Sequence, residues 1–151
     1  MIKISKHFKL FLQVLINFKI YLKTKKLLRR SEYHSKERIK IEQFKLLKKI
    51  IEYSYNNVPY YYDLFNKEKI KPCDINKLED IKKIPYLTRE LIRKNVDKLI
   101  SSRIPKKKLK TVGSGGTTGL PLNFYLDKRT SSPVELGYLE HLWKRVGYKL
   151  Y

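Results

Sequence analysis

Ser114-Gly115-Gly116-Thr117-Thr118-Gly119 puts three hydroxyls and three glycines into six consecutive positions. Glycines allow positive φ and close backbone approach, so that amides can converge on an anion, and hydroxyls donate to phosphate oxygens. The chemistry this pattern could serve is the holding of a phosphate; the plain alternative is a flexible turn. Two phosphate-binding patterns are excluded. A P-loop needs a lysine directly after its second glycine, where Leu120 follows Gly119. A dinucleotide fingerprint needs a third glycine where Thr118 stands, and must open a helix rather than a strand. Cys73 is the single cysteine, which excludes an internal disulfide and a cysteine-based metal cluster. His7, His34 and His141 lie far apart and outside the usual metal-binding spacings, so no metal site is predicted and no catalytic residue is assigned.

The elements that must position this stretch follow from periodicity. Wound as a helix, Ile4, Phe8, Phe11, Leu12, Leu15 and Phe18 share one side, and Lys6, Lys9, Gln13 and Asn17 another. This apolar run is too interrupted to span a membrane and has no cleavage site of the secretory kind. A second helix is predicted from a Ser35 cap, with Ile41, Phe44, Leu47, Ile51 and Tyr55 as its stripe and Asn56, Asn57 and Pro59 as its end. A short helix follows, closed by Pro72. Asn76 with Glu79 predicts a capping box for a helix carrying Leu78 and Ile81, stopped by Pro85. Thr88 is expected to cap the next helix, with Leu91, Ile92, Val96 and Leu99 on its apolar side. After a basic loop over residues 103–110 comes the glycine stretch. Leu122, Phe124 and Leu126 then alternate with polar neighbours as a strand does. Ser132, Pro133 and Glu135 predict a final helix start, with Val134, Tyr138, Leu142 and Val146 as its buried stripe and Leu139 and Trp143 beside it.

"SGGTTGLPL" resembles the phosphate-binding loop of the adenylate-forming ligase superfamily, whose pattern is [ST]-[SG]-G-[ST]-T-G-x-P. The flanking "LLKKIIEYSYNNVPYYYDLF", "LEDIKKIPYLTRELIRKNVDKLIS" and "LNFYLDK" are similar to its phenylacetate–CoA ligase and CapK-like capsular polysaccharide branch. The resemblance covers residues 35–148. It implies an α/β family fold, incomplete here, in which a mostly helical N-terminal region is followed by a loop-strand-helix piece of the ligase domain. Residues 1–34 would then be a basic amphipathic helix, and residues 35–151 a truncated N-terminal part of that domain. It also implies ATP, Mg2+ and coenzyme A as cofactors, none bound tightly by this stretch alone. Ser114, Gly115, Gly116, Thr117, Thr118 and Gly119 would be the residues on the β- and γ-phosphates. The activity implied is conversion of a carboxylic acid to an acyl-adenylate and transfer to a thiol. Leu120 departs from the lysine of many relatives, which weakens phosphate attraction. The adenine, magnesium and hinge residues of such ligases would lie beyond Tyr151, so the chain is expected to be inactive alone and to pair with a separately encoded C-terminal part.

Charge supports a different class of function. Lys and Arg number 35 against 14 Asp and Glu, a formal net charge of +21. Such an excess suits polyanions or an anionic membrane surface, and the codon bias of an A+T-rich genome would produce it as well. The clusters "KTKKLLRR" and "KKKLK" and the amphipathic start make a basic helical protein at a membrane or on a polyanion the alternative. No nucleic-acid motif is present, so no specific nucleic-acid partner is expected. A reduced cytoplasmic location is expected, with contact at an anionic membrane as the variant of it.

Overall fold

A computed structural model of the chain describes residues 17–115 and 121–148. The predicted helix over residues 4–18 lies almost entirely outside them. The described part is mostly helical with one small antiparallel sheet of two strands. The chain divides into two compact units, Met1–His34 with Asp127–Tyr151, and Ser35–Leu126.

The Ser35–Leu126 unit begins with α2 (Lys36–Asn57), which follows α1 (Phe18–Ser31) of the other unit. Ser35 caps α2 as its residue type predicts, its side chain accepting from the Arg38 amide at 3.2 Å. Val58, extended and buried, breaks the helix, and Pro59 at the first helical position starts α3 (Pro59–Lys67). The corner is held from a distance. The Tyr60 amide donates to the Lys98 carbonyl at 3.0 Å, the Ser102 amide donates to the Asn57 carbonyl at 2.7 Å, and the Tyr53 and Ser101 hydroxyls lie 2.7 Å apart. Ile51, Phe65 and Ile75 form the core of this unit, flanked by Phe44, Leu47, Tyr55, Tyr61, Ile70 and Ile84. Four of the five predicted stripe residues of α2 therefore pack inward. Ile41 does not: it is half exposed, one turn ahead of the first core contact.

Two local expectations shift by a few residues. Residues Leu78–Lys83 form a 3₁₀ turn rather than an α-helix, and its carboxylate cap is Asp80, not Glu79. Asp80 accepts from the amides of Asn76 at 2.8 Å and Lys77 at 3.0 Å and pairs with Lys83 at 3.1 Å. These partners, the Asn76 amide first, hold its carboxyl below the usual range. Thr88 caps α4 (Arg89–Asn95), accepting from the Leu91 amide at 3.3 Å, but the helix stops short of Val96 and Leu99.

The other described unit is a helix pair. α5 (Ser131–Arg145) packs on α1 through small residues: a Cβ built on Gly137 would stand 2.9 Å from Thr24 Cγ2. Buried Thr24 keeps its hydroxyl satisfied on the Ile20 carbonyl at 3.0 Å. The predicted stripe of α5 is corrected. Tyr138, Leu142 and Val146 are exposed and Val134, Leu139 and Trp143 half-buried, while Ser132, Pro133 and Gly137 are buried. Ser132 is not the cap either, because the helix has already begun at Ser131. Its start is set by Asp127, whose carboxylate accepts from the Arg129 amide at 2.8 Å and whose carbonyl accepts from the Ser131 hydroxyl at 2.7 Å.

Beside the small-residue contact, Tyr21 donates its hydroxyl hydrogen to Glu140. Lys25 Nζ donates to Glu140 Oε1 at 2.7 Å and to the Tyr21 oxygen at 3.1 Å. Burial alone would raise the Glu140 carboxyl, but the hydrogen bonds from Lys25 and Tyr21 and the charge of Lys25 and Arg29 hold it below its ordinary value. Tyr21 is pushed up, by burial first and then by Glu140. Burial acts to lower Lys25, and its bonds to Glu140 and Tyr21 outweigh that and raise it.

A depressed carboxyl stabilises the folded pair above its unfolded value and loses that contribution as pH falls through the folded one. A raised phenol or ammonium does the reverse: its contribution is present below the unfolded value and is lost as pH rises through the folded one. The α1–α5 pair is therefore expected to be most stable between the ordinary carboxyl value of 4.5 and the ordinary phenol value of 10.0. Glu140→Gln should lower its stability by about 1–3 kcal/mol at neutral pH and flatten the acid limb. Urea unfolding followed through Trp143 fluorescence at neutral and acid pH checks both; an unchanged acid limb in the variant would remove the role given to Glu140.

Candidate functional site

The glycine-hydroxyl stretch sits in the connection of a β-hairpin. β1 (Leu109–Gly113) leads into it and β2 (Asn123–Asp127) leads out, and the two strands pair with each other. β2 is the strand expected from the alternation of Leu122, Phe124 and Leu126. Its faces are less distinct than that alternation predicts, since Phe124 is exposed while Tyr125 and Leu126 are both half-buried. β1 lies partly where a basic loop was expected. Leu109 and Lys110 belong to the strand, and the lysine run ends in a 3₁₀ turn at Lys106–Lys108. The signal that could have found β1 is Thr111-Val112, two β-branched residues directly before a glycine.

Beyond the paired strands, Ser114 and Leu122 close the mouth of the connection. The Ser114 amide donates to the Leu122 carbonyl at 2.9 Å, and the Leu122 amide donates to Ser114 Oγ at 3.0 Å. This second bond uses the serine oxygen as acceptor and leaves its own hydrogen to be donated elsewhere. The expectation of Ser114 as a phosphate donor does not include this structural use of its oxygen. Gly113 is where the hairpin is tightest. A Cβ there would lie 3.3 Å from Asn123 Oδ1 and 3.9 Å from Pro121 Cβ. At Gly115 no atom of the described residues comes within 4 Å of the place a Cβ would take. Gly116, Thr117, Thr118 and Gly119 lie outside the described residues, as does Leu120.

Residues 113–115 are exposed at the end of β1, which is a placement compatible with a ligand as bulky as a polyphosphate. Of the neighbouring lysines, Lys106 is held by Asp97 at 2.9 Å, and that hydrogen bond raises its ammonium value. Among the described residues no group of three or more His, Cys, Asp or Glu is placed to hold a metal, and no helix is long and apolar enough to cross a membrane. Between α2 and the Leu78–Lys83 turn, Leu46, Leu47, Ile50, Leu78 and Ile81 line a shallow, mainly apolar groove, with Gln43 and Lys49 as its polar side chains.

No protein-family profile matches the chain. It is 31% identical over 145 residues to Protein CapK of Staphylococcus aureus, a match spanning 90% of this chain and 30% of CapK. Over 91 residues, 60% of this chain, it is 31% identical to the phenylacetate-coenzyme A ligase of Aromatoleum evansii and 30% identical to that of Escherichia coli (strain K12). By sequence the chain is a homologue of CapK and the phenylacetate–CoA ligases over part of their length. It spans less than a third of the length of these relatives: 30% of CapK, and 20% and 21% of the two ligases. The family resemblance carried by "SGGTTGLPL" and its flanks thus agrees with similarity that extends over 90% of the chain in CapK.

Proposed function

We propose that this chain supplies the phosphate-binding hairpin of an ATP-dependent acid–thiol ligase, and that the rest of the catalytic machinery comes from the remaining length of such a ligase. The observation that carries this is the coincidence of the [ST]-[SG]-G-[ST]-T-G-x-P pattern at residues 114–121 with a hairpin connection, in a chain 31% identical to CapK over 145 residues. Ser114, Gly115, Gly116, Thr117, Thr118 and Gly119 would hold the β- and γ-phosphates of ATP. What ATP supplies when bound is an electrophilic phosphorus and a pyrophosphate leaving group. The chain's part would be positioning and charge stabilisation: hydroxyls of Ser114, Thr117 and Thr118 would donate to phosphate oxygens, and the glycines would admit them to the backbone. The described residues fit that task, since Ser114 keeps a donor after closing the hairpin and no described residue crowds Gly115.

The partner in this reading is a C-terminal ligase portion, encoded separately or as a continuation of the chain, and the acid substrate is selected there. Phosphate binding by this stretch alone is weak, so the test is run at millimolar nucleotide. Hydrogen exchange of the full chain with Mg·ATP should slow amides of residues 113–119, AMP should not slow them, and Thr117→Ala with Thr118→Ala should abolish the difference. Equal protection by AMP, or none by ATP at saturating concentration, would refute the phosphate assignment.

A further inference from the structure

α1 has two dissimilar sides. Tyr21, Thr24, Lys25 and Leu28 are turned toward α5 or partly covered, and through Thr24 and Lys25 the helix is bolted to Gly137 and Glu140. Around the helix from that contact and adjoining it, Phe18 and Leu22 stand 46% and 47% exposed, and Lys19, Lys23, Lys26, Arg29 and Arg30 are exposed beside them. At about 100° per residue, Phe18, Leu22, Lys26 and Arg29 fall within a quarter turn, with Lys19 and Arg30 at its border. The 14 residues of α1 contain no carboxylate. Leu22, Lys25, Lys26, Arg29 and Arg30 also line a shallow hollow of about 450 Å3, in which the apolar side chain and the cations face the same space.

A solvated charged face does not require exposed phenylalanine and leucine in its midst, and a protein-docking face of this size is rarely so uniformly cationic. An interface between hydrocarbon and anionic headgroups requires both: apolar side chains to sink below the headgroups and cations to meet the phosphates. We infer that the outward face of α1, built on Phe18, Leu22, Lys26, Arg29 and Arg30, is a docking surface for an anionic lipid bilayer. The charge complementarity is strong, because the chain brings a net +21 to a negative surface and α1 has no carboxylate of its own; Glu140 of α5, which faces it, is taken up by Lys25 and Tyr21 and acts on Arg29 by charge only. This inference does not depend on the ligase reading and uses none of its residues.

The test is co-sedimentation of the full chain with vesicles of phosphatidylcholine alone and of phosphatidylcholine with one quarter phosphatidylglycerol. Binding is expected to the second and not the first. Each cation near such a surface contributes about 1 kcal/mol, so Lys26→Gln/Arg29→Gln/Arg30→Gln should weaken binding about a hundredfold. Leu22→Gln should weaken it about tenfold through lost burial. A charge-matched triple variant on the other unit, Lys40→Gln/Lys67→Gln/Lys94→Gln, controls for bulk charge and should bind almost as the native chain does. Circular dichroism verifies that each variant is folded. Equal losses in the two triple variants would mean that net charge alone is responsible, and would overturn the proposal. So would vesicle binding indifferent to Leu22→Gln together with equally tight binding of an RNA duplex, which would make the face a polyanion surface. Absence of vesicle binding by the native chain would also refute it.

Discussion

Phe65→Ala is expected to destabilise the Ser35–Leu126 unit by about 3–5 kcal/mol, a large part of the stability such a domain has. Phe65 is 2% exposed and lies with Ile51 and Ile75 at the centre of the only buried apolar cluster among the described residues. Its ring meets Tyr55 at 5.7 Å between centroids, so truncation removes both transfer energy and an aromatic contact and leaves a cavity that α2 and α3 cannot close without moving. Because the corner between α2 and α3 is tied to residues 98–102, the loss should extend along this unit. Urea unfolding by circular dichroism measures it. Leu46→Ala, on the same helix but 62% exposed, is the control and should cost less than about 1 kcal/mol. Equal costs would mean that the core has been placed wrongly.

Gly137→Val is expected to separate α1 from α5. Its Cβ alone would lie 2.9 Å from Thr24 Cγ2 and 3.2 Å from Thr24 Cβ, and Thr24 is buried and hydrogen-bonded to its own helix, so it has nowhere to swing. Overpacking of this kind costs about 1–3 kcal/mol, and valine offers little helix propensity in return. Trp143, the single tryptophan, sits on α5 with Tyr148 edge-on at 5.6 Å and reports the transition by fluorescence. The midpoint should fall, while hydrogen exchange over residues 44–65 remains as in the native chain. Thr24→Ala in the same chain should restore part of the loss, since it removes the nearer of the two clashing atoms. A midpoint unchanged by Gly137→Val would show that the helices are not in contact there.

Where structure is decided within a few residues, it could be read directly. Ser35 and Thr88 cap their helices because a side-chain oxygen and a nearby amide are all that is needed, and Pro59 starts α3 for a similarly local reason. Hydropathy found Phe44, Leu47, Ile51 and Tyr55 because the residues that cover them come from the adjoining segments. The same method failed on α5. Its buried face is Ser132, Pro133 and Gly137, residues with little or no hydropathy signal, and what makes Gly137 an interior residue is Thr24, more than a hundred positions earlier. β1 was hidden because lysines dominate the approach to it. At the hairpin, the pattern of residues 114–121 was legible as a motif, but the acceptor role of Ser114 required knowing that Leu122 returns beside it.

The helix pair has its two halves far apart in sequence: Tyr21 and Glu140 are 119 positions apart. During synthesis at about 5–20 residues per second, α1 leaves the ribosome roughly 6–24 s before its partner can. The intervening Ser35–Leu126 segment is complete before α5 exists, so it can fold while the small-residue face of α1 is still uncovered. Order of assembly is thereby written into topology: a local unit first, then the pairing of α1 with α5. A ribosome stalled before Gly137 should carry a nascent chain with the first unit folded and α1 open to chaperones or to any surface that competes for it.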